Sequence, residues 1–321
     1  MTKRHLQIVI GCLWLLDGLL QLQPKMFSGA LVSRVLLPAA NGQPAFVSGP
    51  IHWAASVFLV NPIAFNSAIV LVQLCIGMLI LVAKTARLGL WLSVFWGLVV
   101  WIIGEGYGGI FSGQFNLLTG APGAALIYVL LALAALPHGK NKDPSYGLAI
   151  LWSLIWLAGG VFVLSQWRSV SQLRGLAVAN SHLSVYWLAD IGKHLTVYLG
   201  GLVRNNKLSS VSMSMNPSQS ITAKASGGGY WLVILFGMAE ILIAMAVFLN
   251  KYLRSVVISL AIVILLVFWV VGQDAGGYFT GYMTDLNTAP LLMLTGVVLL
   301  TSKNIYTRLG SGLTKIKEIL V

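Results

Sequence analysis

Residues 64–83 read "AFNSAIVLVQLCIGMLILVA", without one charged side chain. A helix needs about 20 such residues to cross a hydrocarbon core. Inside lipid every backbone N–H and C=O must be paired within its own segment, so a run of this kind is a helix. The alternation of a membrane β-barrel is absent. The chain contains several more apolar runs, and the reading is an all-α polytopic membrane protein. Eight spans are expected, at about 6–23, 64–83, 88–104, 121–137, 146–165, 230–249, 254–272 and 289–302. Composition agrees. The chain is 58% hydrophobic and 9% charged, where soluble domains carry about 25% charged residues.

A net charge of +12 raises nucleic acid as a partner, and the placement of the charges excludes it. Lys and Arg sit between the apolar runs, not in a stripe interleaved with aromatics. They act instead as topology signals. Lys3, Arg4, Lys84, Arg87, Lys140, Lys142, Lys251, Arg254, Lys303, Arg308, Lys315 and Lys317 fall on one side, while the loops 105–120 and 273–287 carry no basic residue. By the positive-inside rule the N- and C-termini are cytoplasmic and both loops face outward, in a multi-pass plasma-membrane protein. The N-terminal run, interrupted by Asp17 and followed by no small-residue cleavage site, is expected to be retained as the first helix. Cys12 and Cys75 lie inside apolar helices and read as small buried residues, with no disulfide framework.

The two loops echo each other. "WIIGEGYGGIFSG" from Trp101 to Gly113 recurs as "WVVGQDAGGYFTG" from Trp269 to Gly281, sharing Trp, Gly, the Gly-Gly pair, Phe and the closing Gly. "LWLLDGLLQLQP" similarly matches "IWLAGGVFVLSQ", and Pro122 is placed opposite Pro290 at the start of the fourth helix of each half. The expected organisation is two four-helix bundles, 1–143 and 144–321, the second with a longer outer excursion at about 166–229. Four spans per copy is an even number, so the copies are parallel repeats about an axis along the membrane normal.

"VQLCIGMLILVAKTARLGLWLSVFWGL" and "AEILIAMAVFLNKYLRSVVISLAIVIL" resemble the second and third helices of the DoxX-like four-helix membrane proteins, and "LQIVIGCLWLLDGLLQLQP" is similar to their first. The resemblance covers about half the chain. The DoxD-like branch includes the membrane subunit of a thiosulfate:quinone oxidoreductase. The resemblance therefore implies a redox-linked subunit that handles quinone and an outer-side reductant.

An ionisable group within a spanning helix is costly, so each is a candidate site. Asp17 and Glu240 lie within the first and sixth expected spans; Glu105 and Asp274 lie at the outer mouths. In the alignment of the halves Glu240 stands opposite Gln73, and Glu105 opposite Gln273. The four carboxylates are candidate proton carriers. Gln73, Gln273, Trp101 and Trp269 are the residues placed to hold a cofactor beside them. The alternative role of the buried carboxylates is interhelical hydrogen bonding. His52 and His194, opposite each other across the repeat, are candidate metal or haem ligands; otherwise each anchors an interfacial helix. The glycine-rich loops follow helices and lack the P-loop Lys, so they are tight turns, not phosphate cradles. Two other functions fit the same features: a non-catalytic scaffold in a larger membrane assembly or homo-oligomer, and a transporter with its substrate at the repeat interface.

Overall fold

The computed structural model describes residues 1–113, 115–137, 144–165, 230–278 and 280–301. Among these residues the protein is entirely helical. The principal helices are α1 (Lys3–Leu20), α2 (Leu37–Ala40), α3 (Ala45–Val60), α4 (Pro62–Leu81), α5 (Ala86–Ile103), α6 (Ala124–Ala135), α7 (Ser145–Ser165), α8 (Tyr230–Ala244), α9 (Lys251–Val267) and α10 (Thr288–Thr301).

Among the described residues four segments are long and apolar enough to cross a membrane: Pro62–Leu81, Ala86–Ile103, Ser145–Ser165 and Lys251–Gly272. They bury only a minority or half of their residues within the protein. Leu71, Met78, Trp91, Phe95, Leu154 and Val263 are among the apolar side chains they expose. An apolar surface of that extent contacts lipid. The other expected spans are shorter or more polar than the sequence pattern implied. The run at 121–137 is helical only over Ala124–Ala135, about 18 Å of helix at 1.5 Å per residue. Its first residues belong to a non-helical loop. That loop is enclosed by protein, where irregular backbone at membrane depth is tolerated. Helix α1 carries Lys3, Arg4 and Asp17, and α8 passes into a 3-10 turn at Met245–Phe248.

The helices pair closely through glycines. A Cβ on Gly77 of α4 would meet the Gly11 carbonyl of α1, and a Cβ on Gly160 of α7 would lie 2.6 Å from the Gly237 carbonyl of α8. Small residues at such crossings let backbones approach. Helix α6 stands at the centre, with Ile127, Leu131, Ala132 and Ala135 fully buried, against α1, α5, α7 and α10. At one end Arg4 donates to the terminal carbonyls of α4, Ile80 and Leu81, and Gln7 Nε2 donates to Ala135 O at 3.1 Å. These side chains satisfy carbonyls that a helix C-terminus leaves unpaired.

The two glycine loops meet at the other end. In the first, Tyr107 and Gly108 adopt positive φ; in the second, Ala275 and Gly276 do. The backbone reversal expected of these glycines is present in both. Trp101 Nε1 donates to Pro122 O at 2.7 Å, and Trp269 Nε1 donates to Leu286 O at 2.9 Å. Glu105 accepts from Ala125 N–H at 3.1 Å, and Gln273 Oε1 accepts from Ala289 N–H at 3.1 Å. Positive-φ Gly123 and Asn287 occupy corresponding places. The hydrogen bonds thus match Pro122 with Leu286, not with Pro290. The second loop is shorter than the first, so the register read from the prolines is displaced. Helix α6 begins after Pro122, whereas Pro290 lies within α10.

Candidate functional site

A cavity of about 410 Å³ lies among α1, α3, α4, α5 and α6. Helical periodicity brings Trp14, Asp17 and Gln21 to one face of α1, and Ile69, Val72 and Gln73 to the facing side of α4. Trp53 and Phe58 of α3 and Trp96 of α5 complete apolar walls. Trp14 and Tyr128 pack with ring centroids 4.6 Å apart. The rim includes Trp53, which is 66% exposed, and exposed Phe65 and Ala68. The chamber therefore opens sideways, on the apolar surface of α3 and α4.

Its polar groups occupy two levels. Asp17 is 1% exposed, Tyr128 2% and Gln73 6%. Gln21 Oε1, Gln73 Oε1 and Trp96 Nε1 have no hydrogen-bond partner, and the Tyr128 hydroxyl faces the Asp17 carboxylate as its hydrogen-bond donor. Buried polar atoms are nearly always paired, so three orphans around one cavity mark a place that receives a polar group. The second level is the mouth, where Glu105 meets Asp285 from the opposite glycine loop. Asp285 lies close enough for its charge to act on both Asp17 and Glu105. It accepts from Asn287 N–H at 2.6 Å and from the Thr284 hydroxyl at 2.8 Å.

Glu105 and Asp285 lie in loops outside the spanning helices. Burial, reinforced by the Asp285 carboxylate, pushes the Glu105 pKa up to about 8, against the pull of the Ala125 and Ala124 N–H groups. Burial also raises Asp285, against its bonds from Thr284 and Asn287. Both side chains face a cavity, yet the medium around them is protein, which disfavours charge. Above the pair is a second, polar cavity of about 280 Å³, lined by Glu105, Gly108, Gly120, Gly276, Asp285 and Asn287 among others. Glu105, Thr284 and Asp285 border both cavities. A Cβ on Gly123 would fall on the Glu105 carboxylate, so glycine there leaves room for the acid.

The remaining sequence candidates lie elsewhere. Trp101 and Trp269 do not line the chamber; their indoles close the loops described above. Gln273, 5% exposed, also donates to Leu117 O at 3.1 Å and so ties one loop to the other. Asp274 sits at positive φ in the second loop and lines neither cavity. Glu240 is 1% exposed, with both oxygens unpartnered, beside Gly159 of α7 and outside the chamber. His52 is exposed on α3, and His194 lies outside the described residues. Among the described residues no group of three or more His, Cys, Asp or Glu gathers to hold a metal.

Sequence reasoning missed Asp285, Tyr128, Gln21 and Trp96. Asp285 lies about 160 residues beyond Tyr128 in the chain yet lines the same chamber, and no local pattern could reveal that. The polar triplet Gln73, Trp96 and Tyr128 within apolar spans was the available signal. No family model, no curated protein and no solved structure matches the chain.

Proposed function

We propose that the protein is a multi-pass plasma-membrane subunit whose chamber binds a quinone from the lipid phase and whose carboxyls handle its protons. In this reading the chain is a tandem DoxX-like duplication with eight spans in two parallel bundles, both termini cytoplasmic. The matched indole and N–H bonds of the two glycine loops support the duplication. So do the matched glycine crossings of α1 with α4 and of α7 with α8. The short apolar helices α6 and α10 then span together with the enclosed loops that precede them.

The observation that carries the functional reading is the set of orphaned polar atoms in an apolar chamber open to lipid. Trp96 Nε1 is a free donor suited to a quinone carbonyl, and the apolar walls suit an isoprenoid tail. A bound quinone accepts two electrons from an outer-side reductant and two protons. Asp17 holds one proton at the floor and Glu105 another at the mouth. Burial, reinforced by Asp285, favours the protonated form of Glu105 near neutral pH, and Asp285 connects it to the polar cavity above. The electrons come through a partner subunit or from a reductant in that outer cavity.

Photolabelling in nanodiscs with an azidoquinone tests this. Label on peptides containing Trp53, Trp96 or Glu105, displaced by excess unlabelled quinone, is the expected result. Label spread over the lipid face and insensitive to competitor overturns it. The scaffold alternative would show the same uncompeted labelling together with constant co-purification of other subunits.

A further inference from the structure

The chamber's charge pattern points beyond quinone. Asp17, Glu105 and Asp285 are its ionisable carboxyls, and no Lys, Arg or His lines it among the described residues. The Asp285 carboxylate lies close enough for its charge to act on both of the others. Like charges gathered without a counter-ion are unfavourable, and a bound cation relieves them. The walls are aromatic: Trp14, Trp53, Phe58, Phe65 and Trp96. Aromatic faces attract cations by about 0.5–2 kcal/mol each, more where water is excluded. A second observation comes from the orphans. Gln21 Oε1 and Gln73 Oε1 are acceptors without a partner; each belongs to a side chain more than nine-tenths buried that lines the cavity beside the buried Asp17 carboxylate. An acceptor-rich floor wants a ligand that donates hydrogen bonds or carries positive charge.

We infer that the chamber is a binding site for a lipophilic organic ammonium ion, with the cationic head against Asp17 inside the aromatic walls and the tail leaving past Trp53 into lipid. Each ligand class suits one protonation state. Neutral carboxyls donate to a quinone carbonyl; ionised carboxyls hold the ammonium. The inference concerns the chamber of the quinone reading but needs no redox chemistry. The side opening matters equally to both, because an amphiphile dissolved in the bilayer reaches the site without crossing water.

The test uses the full chain in nanodiscs of zwitterionic lipid, which remove surface charge as a source of attraction. The probes are 4-hexylphenyl-trimethylammonium and its uncharged carbon isostere, 4-hexyl-tert-butylbenzene, which share one shape. Calorimetric titration is expected to show saturable binding of the ammonium and at least about tenfold weaker binding of the isostere. Asp17→Asn is expected to weaken the ammonium by about tenfold and leave the isostere unchanged. Glu105→Gln, on a loop and free of the folding demands of α1, is expected to move the ammonium affinity in the same direction by less. Equal affinity for the two probes in the wild-type protein overturns the inference, and this comparison stands whether or not Asp17→Asn folds. Displaceable azidoquinone labelling without ammonium preference sinks this inference alone; ammonium preference without labelling sinks the quinone reading alone.

Discussion

Glu105 and Gln273 occupy the same place in two loops of the same shape, and they do different work. Each accepts from a backbone N–H at the start of the following helix, Ala125 in one half and Ala289 in the other. Gln273 has an amide nitrogen left over and uses it to hold the Leu117 carbonyl of the other loop. Its polar atoms are all engaged, and it is buried. Glu105 has no donor to give when ionised. Its carboxylate instead borders two cavities and faces Asp285. One atom's difference, oxygen for nitrogen, separates a strut from a proton-holding group. Two loops of one shape thus hold a strut at one position and a cavity-lining carboxyl at the other.

The largest way to break this comparison is to exchange the two residues. Gln273→Glu removes the donor to Leu117 O and sets a carboxylate against that carbonyl. Stranding buried polar groups in this way costs about 3 kcal/mol. A steep loss of folded yield and of the unfolding midpoint in detergent is expected. Glu105→Gln, by contrast, is expected to express and unfold like the wild type or better, since it relieves the repulsion from Asp285. If both exchanges behaved alike, the two positions would not differ as described.

Helix crossings give the next effect. Gly160→Ala drives a Cβ to within 2.6 Å of the Gly237 backbone carbonyl, which cannot step aside, whereas Gly11→Ala first meets the end of the Leu81 side chain at 2.9 Å. Overpacking against backbone costs about 1–3 kcal/mol. Gly160→Ala is expected to lower the thermal midpoint clearly, and Gly11→Ala by less. Similar losses at both would mean that the two crossings are equally tight.

The pH dependence of stability sharpens the picture at Glu105. Its folded-state pKa is raised from the ordinary 4.5 to about 8. The folded protein therefore binds this proton more tightly than the unfolded chain does. The resulting stability is fully present below about pH 4.5 and is lost as pH rises towards 8. The expected fall in the midpoint across that window is a few degrees. Glu105→Gln should flatten it, and an unchanged slope would remove the group from the account. The smallest effect comes from the indole struts. Trp101→Phe and Trp269→Phe each lose one hydrogen bond to a carbonyl, about 1 kcal/mol apiece, and unfolding midpoints should shift by similar amounts.

The helical class, the lipid-facing composition and the echo of the loops were legible because apolar runs and glycine pairs are local signals. Asp17, Gln73 and Glu105 were also legible, since a polar side chain in or beside an apolar helix stands out. What joined them was not. Counting residues along each helix places Gln73 and Glu105 at separate depths, and it contains nothing about a cavity that spans both depths or about Asp285 arriving from the other half. Helix bounds came out shorter than expected where a loop inside the protein is as apolar as a helix, as before Ala124. The proline register misled for a related reason: Pro122 and Pro290 look equivalent in letters, while the hydrogen bonds of Trp101 and Trp269 follow the backbone and choose Leu286.

The shared mouth of Glu105 and Asp285 requires the two glycine loops to open on the same side of the membrane. In a background with Cys12 and Cys75 replaced by Ser, Phe111→Cys and Tyr278→Cys place single thiols on exposed positions of the two glycine loops. Sealed vesicles of known orientation are then treated with a membrane-impermeant maleimide. Parallel copies predict that both positions label from the same face, the one opposite the termini. Labelling from opposite faces would contradict the duplication and, with it, the shared mouth of Glu105 and Asp285.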